Sequence, residues 1–198
     1  SYLAKHQLAE ASVTVVRNEN NFLPIRTLEH NSFVSISIGK GSENDFTHSL
    51  KKYAAFRTLS IKEIKDTVDL YIKPSATVIV GIFPDVNELE KQLGSWIERL
   101  STRHAVILAH FGNPLMLNSY KNIGALIAAY TDQDYMSNVV PQIIFGALPA
   151  TGVLPVSLDY FRRDHSIETK TTDRFSYTLP EAAGLDSRTL KKIKVIMK

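Results

Sequence analysis

The fold class follows from one apolar stretch, Ala76-Thr77-Val78-Ile79-Val80-Gly81-Ile82-Phe83, in which β-branched residues predominate. A strand with one solvent-exposed face alternates apolar and polar residues, whereas a strand that is apolar throughout is covered on both faces. The run is much shorter than the roughly 18 residues that a membrane-spanning helix needs. It therefore predicts a central strand of a parallel sheet.

Similar apolar strands are predicted on both sides of this stretch, at residues 33–38, 105–109 and 125–130. Helical spacing separates them, most clearly over residues 87–101, where one face carries Leu89, Leu93, Trp96, Ile97 and Leu100. A short strand is expected at 55–60, and further helices are expected at 44–54, 61–72, 115–121 and 133–146. This alternation predicts a three-layer α/β/α sandwich with a mostly parallel sheet of about five or six strands. It does not determine the strand order.

Composition excludes several classes of function. The 198 residues include no cysteine, which excludes a disulfide scaffold, thiolate metal sites and a cysteine nucleophile. Five of the 23 basic residues lie in residues 188–198, which contain no acidic residue. The rest of the chain, with 18 basic and 20 acidic residues, is slightly acidic. We therefore expect no nucleic-acid partner, because such partners require a basic stripe on the folded body.

The sequence alone does not identify the compartment. It shows no signal peptide and no apolar run long enough to span a membrane. It begins Ser1-Tyr2-Leu3 without an initiator methionine, and we expect it to be a fragment of a longer protein.

Three polar residues follow predicted strands, namely Asp85, Asn113 and Asp132. Because ligands of open α/β sheets bind beyond the carboxyl ends of the strands, these residues are candidates for binding a polar substrate. Structural roles are the alternative, with the aspartates capping the following helices and Asn113 forming a turn before Pro114. The turn at residues 39–42 is glycine-rich but lacks the spacing of a phosphate-binding loop.

Motifs for catalysis or metal binding point to no site. Two Ser-x-x-Lys matches, Ser37 to Lys40 and Ser49 to Lys52, lack the companion motifs of serine β-lactamases. The six histidines form no HExxH pair, and only His110 lies next to a strand end. Paired carboxylates of a glycosidase are not evident either. We predict no catalytic residue, no metal site and no cofactor in this chain.

Four segments occur in a distinctive order, namely Phe111-Gly112-Asn113-Pro114, Ala128-Ala129-Tyr130, Ile144-Phe145-Gly146 and Pro149-Ala150-Thr151-Gly152-Val153-Leu154-Pro155-Val156. This order, with the entry segment 9–25, resembles the C-terminal α/β sandwich domain of glycoside hydrolase family 3 over about residues 1–158. In that family the nucleophilic aspartate lies in a preceding (β/α)₈ barrel. The resemblance thus implies a barrel partner and a carbohydrate substrate.

The resemblance also indicates a branch of the family. In β-glucosidases the sandwich domain supplies an acid/base glutamate near a Glu-x-x-Asp-Arg segment. The corresponding region here, between the strand at 76–83 and the helix at 87–101, has no such segment. This favours the β-N-acetylhexosaminidase branch, in which a histidine–aspartate pair on the barrel does that work. A periplasmic or secreted bacterial protein is then expected.

The C-terminal segment 177–187 resembles the opening of a serine β-lactamase-like domain, a module fused behind some bacterial family 3 hydrolases. The predicted division is a sandwich domain at 1–158, a linker or wrapping arm at 159–184, and the first helix of a truncated β-lactamase-like domain at 185–198. Asp186 is the predicted N-cap of that helix.

The sequence thus favours a non-catalytic second domain that packs on a missing barrel and borders its sugar site. Two alternatives stay open. One is a stand-alone flavodoxin-like module that binds a small molecule, and the other is a purely structural spacer between catalytic modules.

Overall fold

One sheet organises the chain. The computed structural model describes residues 1–29, 31–62, 72–84, 90–187, 189–190 and 192. Within them lie six strands, namely β1 (Thr14–Asn18), β2 (Phe33–Ile38), β3 (Phe56–Ile61), β4 (Thr77–Ile82), β5 (Ala105–His110) and β6 (Ala125–Ala128). The helices are α1 (Tyr2–Ser12), α2 (Asp45–Leu50), α3 (Glu90–Ser101) and α4 (Asp134–Ile144). No helix in the described ranges is long and apolar enough to cross a membrane.

The strand order is β1-β6-β5-β4-β2-β3. All neighbouring strands run parallel except β1, which lies antiparallel to β6 and contains an irregularity between Val15 and Arg17. Register is continuous across the centre, where Ile36 pairs with Val80 and Val80 with Leu108. The predicted α/β class and mostly parallel sheet are confirmed.

Side chains of the central strands enter two separate cores. On one face, Phe33, Ile79 and Ile107 pack with residues of α1, α2 and α4. On the other face, Val34, Val80 and Leu108 pack with the apolar stripe of α3, which comprises Leu93, Trp96, Ile97 and Leu100. Helices are therefore required on both faces, because each strand presents apolar residues to both.

Several predicted boundaries differ from the observed ones. The strand predicted at 125–130 ends at Ala128, and α2 ends at Leu50 rather than at residue 54. The helix predicted at 115–121 is a 3₁₀ turn over Pro114–Ser119. Ile61 ends β3 instead of starting a helix, and most of the helix predicted at 61–72 lies outside the described residues.

The polar stretch after residue 158 is hydrogen-bonded to the sheet and to α4. The backbone N–H of Ile167 donates to the carbonyl of Val15 at 2.9 Å, and the hydroxyl of Thr169 accepts from the backbone N–H of Ala150 at 2.9 Å. The carboxamide of Gln142 then exchanges two hydrogen bonds with the backbone of Tyr177, at 2.7 and 3.1 Å.

Arg174 fixes this stretch at the end of α4. Its Nη1 donates to the carbonyls of Ile25 and Phe145, and its Nη2 donates to the carbonyl of Arg26 at 2.7 Å. The planar guanidinium serves three acceptors at once, including a carbonyl that the helix end leaves without an intrahelical partner. The segment at residues 25–26 and the end of α4 are thereby held together.

Gly152 allows the segment 149–156 to lie against the junction of α1 and β1. Its N–H donates to the carbonyl of Val13 at 3.2 Å. A Cβ at this position would lie 2.1 Å from the carbonyl oxygen of Ser12 and 2.7 Å from that of Val13. Both atoms belong to backbone, which cannot move aside alone, so any side chain forces the segment away.

We therefore expect Gly152→Ala to lower the free energy of unfolding by about 3 kcal/mol, as overpacking does. Urea denaturation measures the change. Gly41→Ala is the matched control, because a Cβ at residue 41 would meet nothing within 4 Å. The control should be neutral or stabilising by up to about 1 kcal/mol, through lower entropy of the unfolded chain. Equal midpoints for the two variants would contradict the packing described here.

Candidate functional site

The carboxyl edge of the sheet brings together the segments that follow β2, β4, β5 and β6. β3, which follows β2 in the chain, lies on one side of β2 in the sheet, and β4, which follows β3, lies on the other side of β2. The direction in which strands are added therefore reverses between β2 and β4. In open α/β sheets the segments diverge at such a point and leave a crevice in which ligands bind. This edge is therefore the first candidate site.

Lys40 spans the described part of this crevice. Its Nζ lies 4.7 Å from the centre of the Phe83 ring and 3.3 Å from Oδ2 of Asp132, and it donates to the carbonyl oxygen of Asp132 at 3.1 Å. Both charged side chains are about one-third exposed. The segment after β2 is thus tied to the segment after β6 across the intervening strand ends.

An aromatic cluster lies beneath Lys40. Phe83, which follows β4, stacks on Phe111, which follows β5, with ring centres 4.7 Å apart and planes 11° apart. Phe46 of α2 meets both rings edge-on, at 6.3 and 5.1 Å. All three rings are almost completely buried. The packed rings support Lys40 and the segments that follow β4 and β5.

The three predicted binding residues have different positions. Oδ1 of Asn113 accepts from the backbone N–H of Leu115 at 3.0 Å and so caps the 3₁₀ turn. Asp132 pairs with Lys40. Asp85 lies outside the described residues. Asn113 and Asp132 follow the adjacent strands β5 and β6, so they share the carboxyl edge. Their binding to a substrate stays a prediction.

The glycine-rich turn at 39–42 is held by Asn44. The Asn44 side chain donates to the carbonyl of Gly41 at 2.7 Å and to the hydroxyl of Ser37 at 2.9 Å. It also accepts from the N–H of Thr47 and caps α2. One asparagine therefore shapes the turn and starts the next helix. The residue types of the turn do not reveal this role.

His110 ends β5 and lies at the same edge. It is only 6% exposed, and its Nδ1 is buried without a hydrogen-bond partner among the described residues. Its ring centre lies 6.2 Å from that of Tyr120. Burial lowers the pKa of His110 from 6.5 to about 4, because the charged imidazolium would lose its hydration. The ring is therefore neutral at pH 7.

Tyr130 is a feature of this edge that the sequence pattern does not predict. Its φ is +60°, a conformation that is strained for a residue with a bulky side chain. The N–H of Thr131 donates to the carbonyl of Ala129 at 2.7 Å and closes a tight turn around it. The Tyr130 hydroxyl lies 2.7 Å from Oγ1 of Thr14, so β1 holds the strained residue in place.

Cavities open at the opposite, amino-terminal edge of the sheet. One of about 440 Å³ lies below β5 and β6, between residues 19–22, His104 and Asn122. Another, of about 350 Å³, lies below β2 and β3 and is lined by Phe33 and Phe56. No candidate residue was predicted at this edge, because ligands of open α/β sheets are expected beyond the carboxyl ends.

Comparison with known proteins identifies the fold. No family model and no curated protein matches the chain. Among solved structures, it is similar to a fungal multi-domain glycoside hydrolase family 3 β-N-acetylglucosaminidase that has a GCN5-related glucosamine N-acetyltransferase region. The TM-score is 0.67 and the identity 21%, over 82% of this chain and 19% of that one.

Two further structures give similar results. A family 3 β-N-acetylglucosaminidase from Paenibacillus sp. str. FPU-7 matches with a TM-score of 0.55 and 18% identity, over 74% of this chain and 30% of that one. A β-glucoside phosphorylase matches with a TM-score of 0.59 and 16% identity, over 78% and 30%. The chain spans less than a third of each of these structures. It therefore has a fold found as one part of glycoside hydrolase family 3 enzymes.

The buried His110 makes stability depend on pH. Histidine in the unfolded chain titrates near 6.5, so the unfolded state takes up a proton at a higher pH than the folded state does. The stability contributed by neutral His110 is fully present above about pH 6.5. It is lost as the pH falls from 6.5 towards 4, to a total of about 3 kcal/mol.

Unfolding free energies at pH 7.5 and pH 4 measure this loss. The variant His110→Leu lacks the titrating group, so it should lose about 3 kcal/mol less than the unmodified chain between the two pH values. An equal loss in both proteins would show that burial does not depress the pKa of His110.

Proposed function

We propose that this chain is the second, non-barrel domain of a family 3 glycoside hydrolase of the β-N-acetylhexosaminidase type, and that it packs on a catalytic barrel. The observation that carries this proposal is the fold, which the chain shares with one part of larger glycosidases. The absence of a Glu-x-x-Asp-Arg segment between β4 and α3 supports the β-N-acetylhexosaminidase branch.

The polar groups of the carboxyl edge suit a positioning role. Asp132 is neutralised by Lys40, and the side chain of Asn113 serves its own turn. Each of these two side chains therefore has a hydrogen-bond or ion-pair partner without a substrate. Segments fixed in this way present a defined surface to a neighbouring domain and border a sugar site without taking part in bond cleavage.

Apolar side chains near this edge suit contact with a barrel. Leu115 is 51% exposed on the turn after β5, and Val153 is 47% exposed. The carbonyl of Val153 accepts from the hydroxyl of Tyr130 at 3.4 Å, which places residue 153 near the end of β6. Exposed apolar side chains at one edge of the sheet suit a protein–protein contact.

The C-terminal residues support a further module behind this domain. The carbonyl of Asp186 accepts from the backbone N–H groups of Thr189 and Leu190, as at the start of a helix. Leu185 is 52% exposed and Leu190 is 37% exposed. We propose that residues 185–198 begin a β-lactamase-like domain, although of these residues the structure describes only 185–187, 189–190 and 192.

Activity assays test the central proposal. Residues 1–198 alone should not hydrolyse aryl N-acetylglucosaminides or aryl glucosides, whereas the same residues joined to the upstream barrel should hydrolyse the first class. Turnover by residues 1–198 alone that survives repurification, and that one carboxylate substitution within the chain abolishes, would contradict the proposal.

Alanine variants in the joined protein test the role of the predicted site residues. Asp85→Ala, Asn113→Ala and Asp132→Ala should each lower kcat/KM only modestly, because a positioning group contributes less than a reacting one. A thousandfold loss, equivalent to about 4 kcal/mol of transition-state stabilisation, would identify a catalytic residue instead. No effect from any of the three would favour a purely structural spacer.

A further inference from the structure

The cavity of about 440 Å³ at the amino-terminal edge has the size of a small-molecule site. Its wall combines residues of three segments, namely the turn after β1, the end of α3 and the turn before β6. The residues that define it are Glu19, Asn20, Phe22, His104, Asn122 and Gly124.

A second cavity, of about 480 Å³, adjoins the first. It runs along the C-terminal half of α3, past Glu98, Arg99 and Thr102, and it shares Ser101 and Asn122 with the first cavity. The shared residues place the two cavities side by side, and we call the pair the α3 groove. A single extended ligand can contact both halves of it.

The sequence builds an aromatic wall into the α3 groove. Asn20 and Asn21 have φ values of +53° and +52°, a left-handed conformation that asparagine tolerates better than most residues. This turn brings Phe22 against residue 124, where a Cβ would lie only 3.3 Å from Cδ1 of the ring. Glycine at 124 leaves the space that the ring occupies.

Two polar side chains, Asn122 and His104, line the same groove. Asn122 donates from Nδ2 to Oε1 of Glu98 at 2.9 Å, and within the described residues no other hydrogen bond of its amide is found, which leaves a second proton and the carbonyl oxygen for a ligand. His104 is 8% exposed, and its Nδ1 is buried without a hydrogen-bond partner in the described part of the chain, so a ligand reaches this atom only if the ring turns. Buried polar atoms without partners are rare and need an explanation.

The charges of the groove select the class of ligand. Glu19 and Glu98 contribute carboxylates and Arg99 contributes a guanidinium, so neither sign dominates strongly. Amide and hydroxyl groups offer both donors and acceptors beside the apolar face of Phe22. This combination suits a ligand with many hydroxyl groups and an apolar ring face better than it suits a phosphate.

We infer that the α3 groove binds a short saccharide, at the edge of the sheet opposite to the one that we assign to the barrel. The choice of an N-acetylglucosamine sugar rests on the proposed function, whereas the groove itself does not. The domain would then hold a second segment of glycan while the barrel acts on the first.

Backbone amide shifts of the ¹⁵N-labelled 198-residue chain, titrated with N,N′-diacetylchitobiose, test this inference without any variant. We expect saturable shifts at Ala105, Asn122 and Gly124. No saturable shift at these residues, or shifts confined to Gly41, Gly112 and Thr131 at the carboxyl edge, would overturn it.

A matched pair of variants adds a second test. Asn122→Ala should weaken binding about three- to tenfold, the effect of one or two lost hydrogen bonds. Asn31→Ala is the matched control, because Asn31 is likewise an exposed asparagine at the amino-terminal edge. It lines the cavity below β2 and β3 rather than the α3 groove, so this variant should leave the affinity unchanged. Equal affinity in both variants would overturn the inference.

Experiments can contradict the proposed function and the inference about the α3 groove independently of each other. Barrel-dependent hydrolysis without saturable binding at the α3 groove would overturn only the inference that this groove binds a saccharide. Saturable binding at the groove in a joined protein that lacks β-N-acetylglucosaminidase activity would support the groove and overturn the proposed function.

Discussion

Burial of the central strands on both faces is the constraint on which the rest of the structure depends. Every residue of β2, β4 and β6 is buried, and β5 is exposed only at its first residue. Alternate side chains enter separate cores, so helices must cover both faces. For these central strands, solvent-accessible groups are then confined to the two edges of the sheet where strands begin and end.

This constraint explains why the fold could be predicted from sequence. The run from Val78 to Ile82 has no polar residue, and only a doubly covered strand accommodates such a run. The stripe of Leu93, Trp96, Ile97 and Leu100 likewise requires one apolar face of a helix. The strand order could not be predicted, because every doubly buried strand carries the same apolar pattern.

The carboxyl edge was predictable in position but not in detail. Residue types after the strands indicated where polar groups gather. They did not indicate that Lys40 reaches across Phe83 to Asp132, because that contact depends on how far two loops fold back over the edge. The left-handed Tyr130 was equally hidden, since its hydroxyl partner Thr14 is 116 residues away. Local patterns do not report such distant contacts.

The two edges of the sheet differ in the roles that they suit. The carboxyl edge is closed by internal contacts and bears exposed apolar groups, which suits a fixed contact with another domain. The amino-terminal edge retains cavities lined by polar side chains, which suits an exchangeable ligand. Both roles follow from the same sheet, whose central strands are buried on both faces.

Hydrogen–deuterium exchange in the joined protein tests the central claim most directly. Exchange in peptides that cover residues 39–42, 112–115 and 130–132 is compared between residues 1–198 alone and the same residues joined to the barrel. We expect the barrel to slow exchange in these three segments and to leave residues 104–106 and 122–124 unchanged. Slower exchange only at 104–106 and 122–124 would contradict this expectation, because the barrel would then dock at the opposite edge.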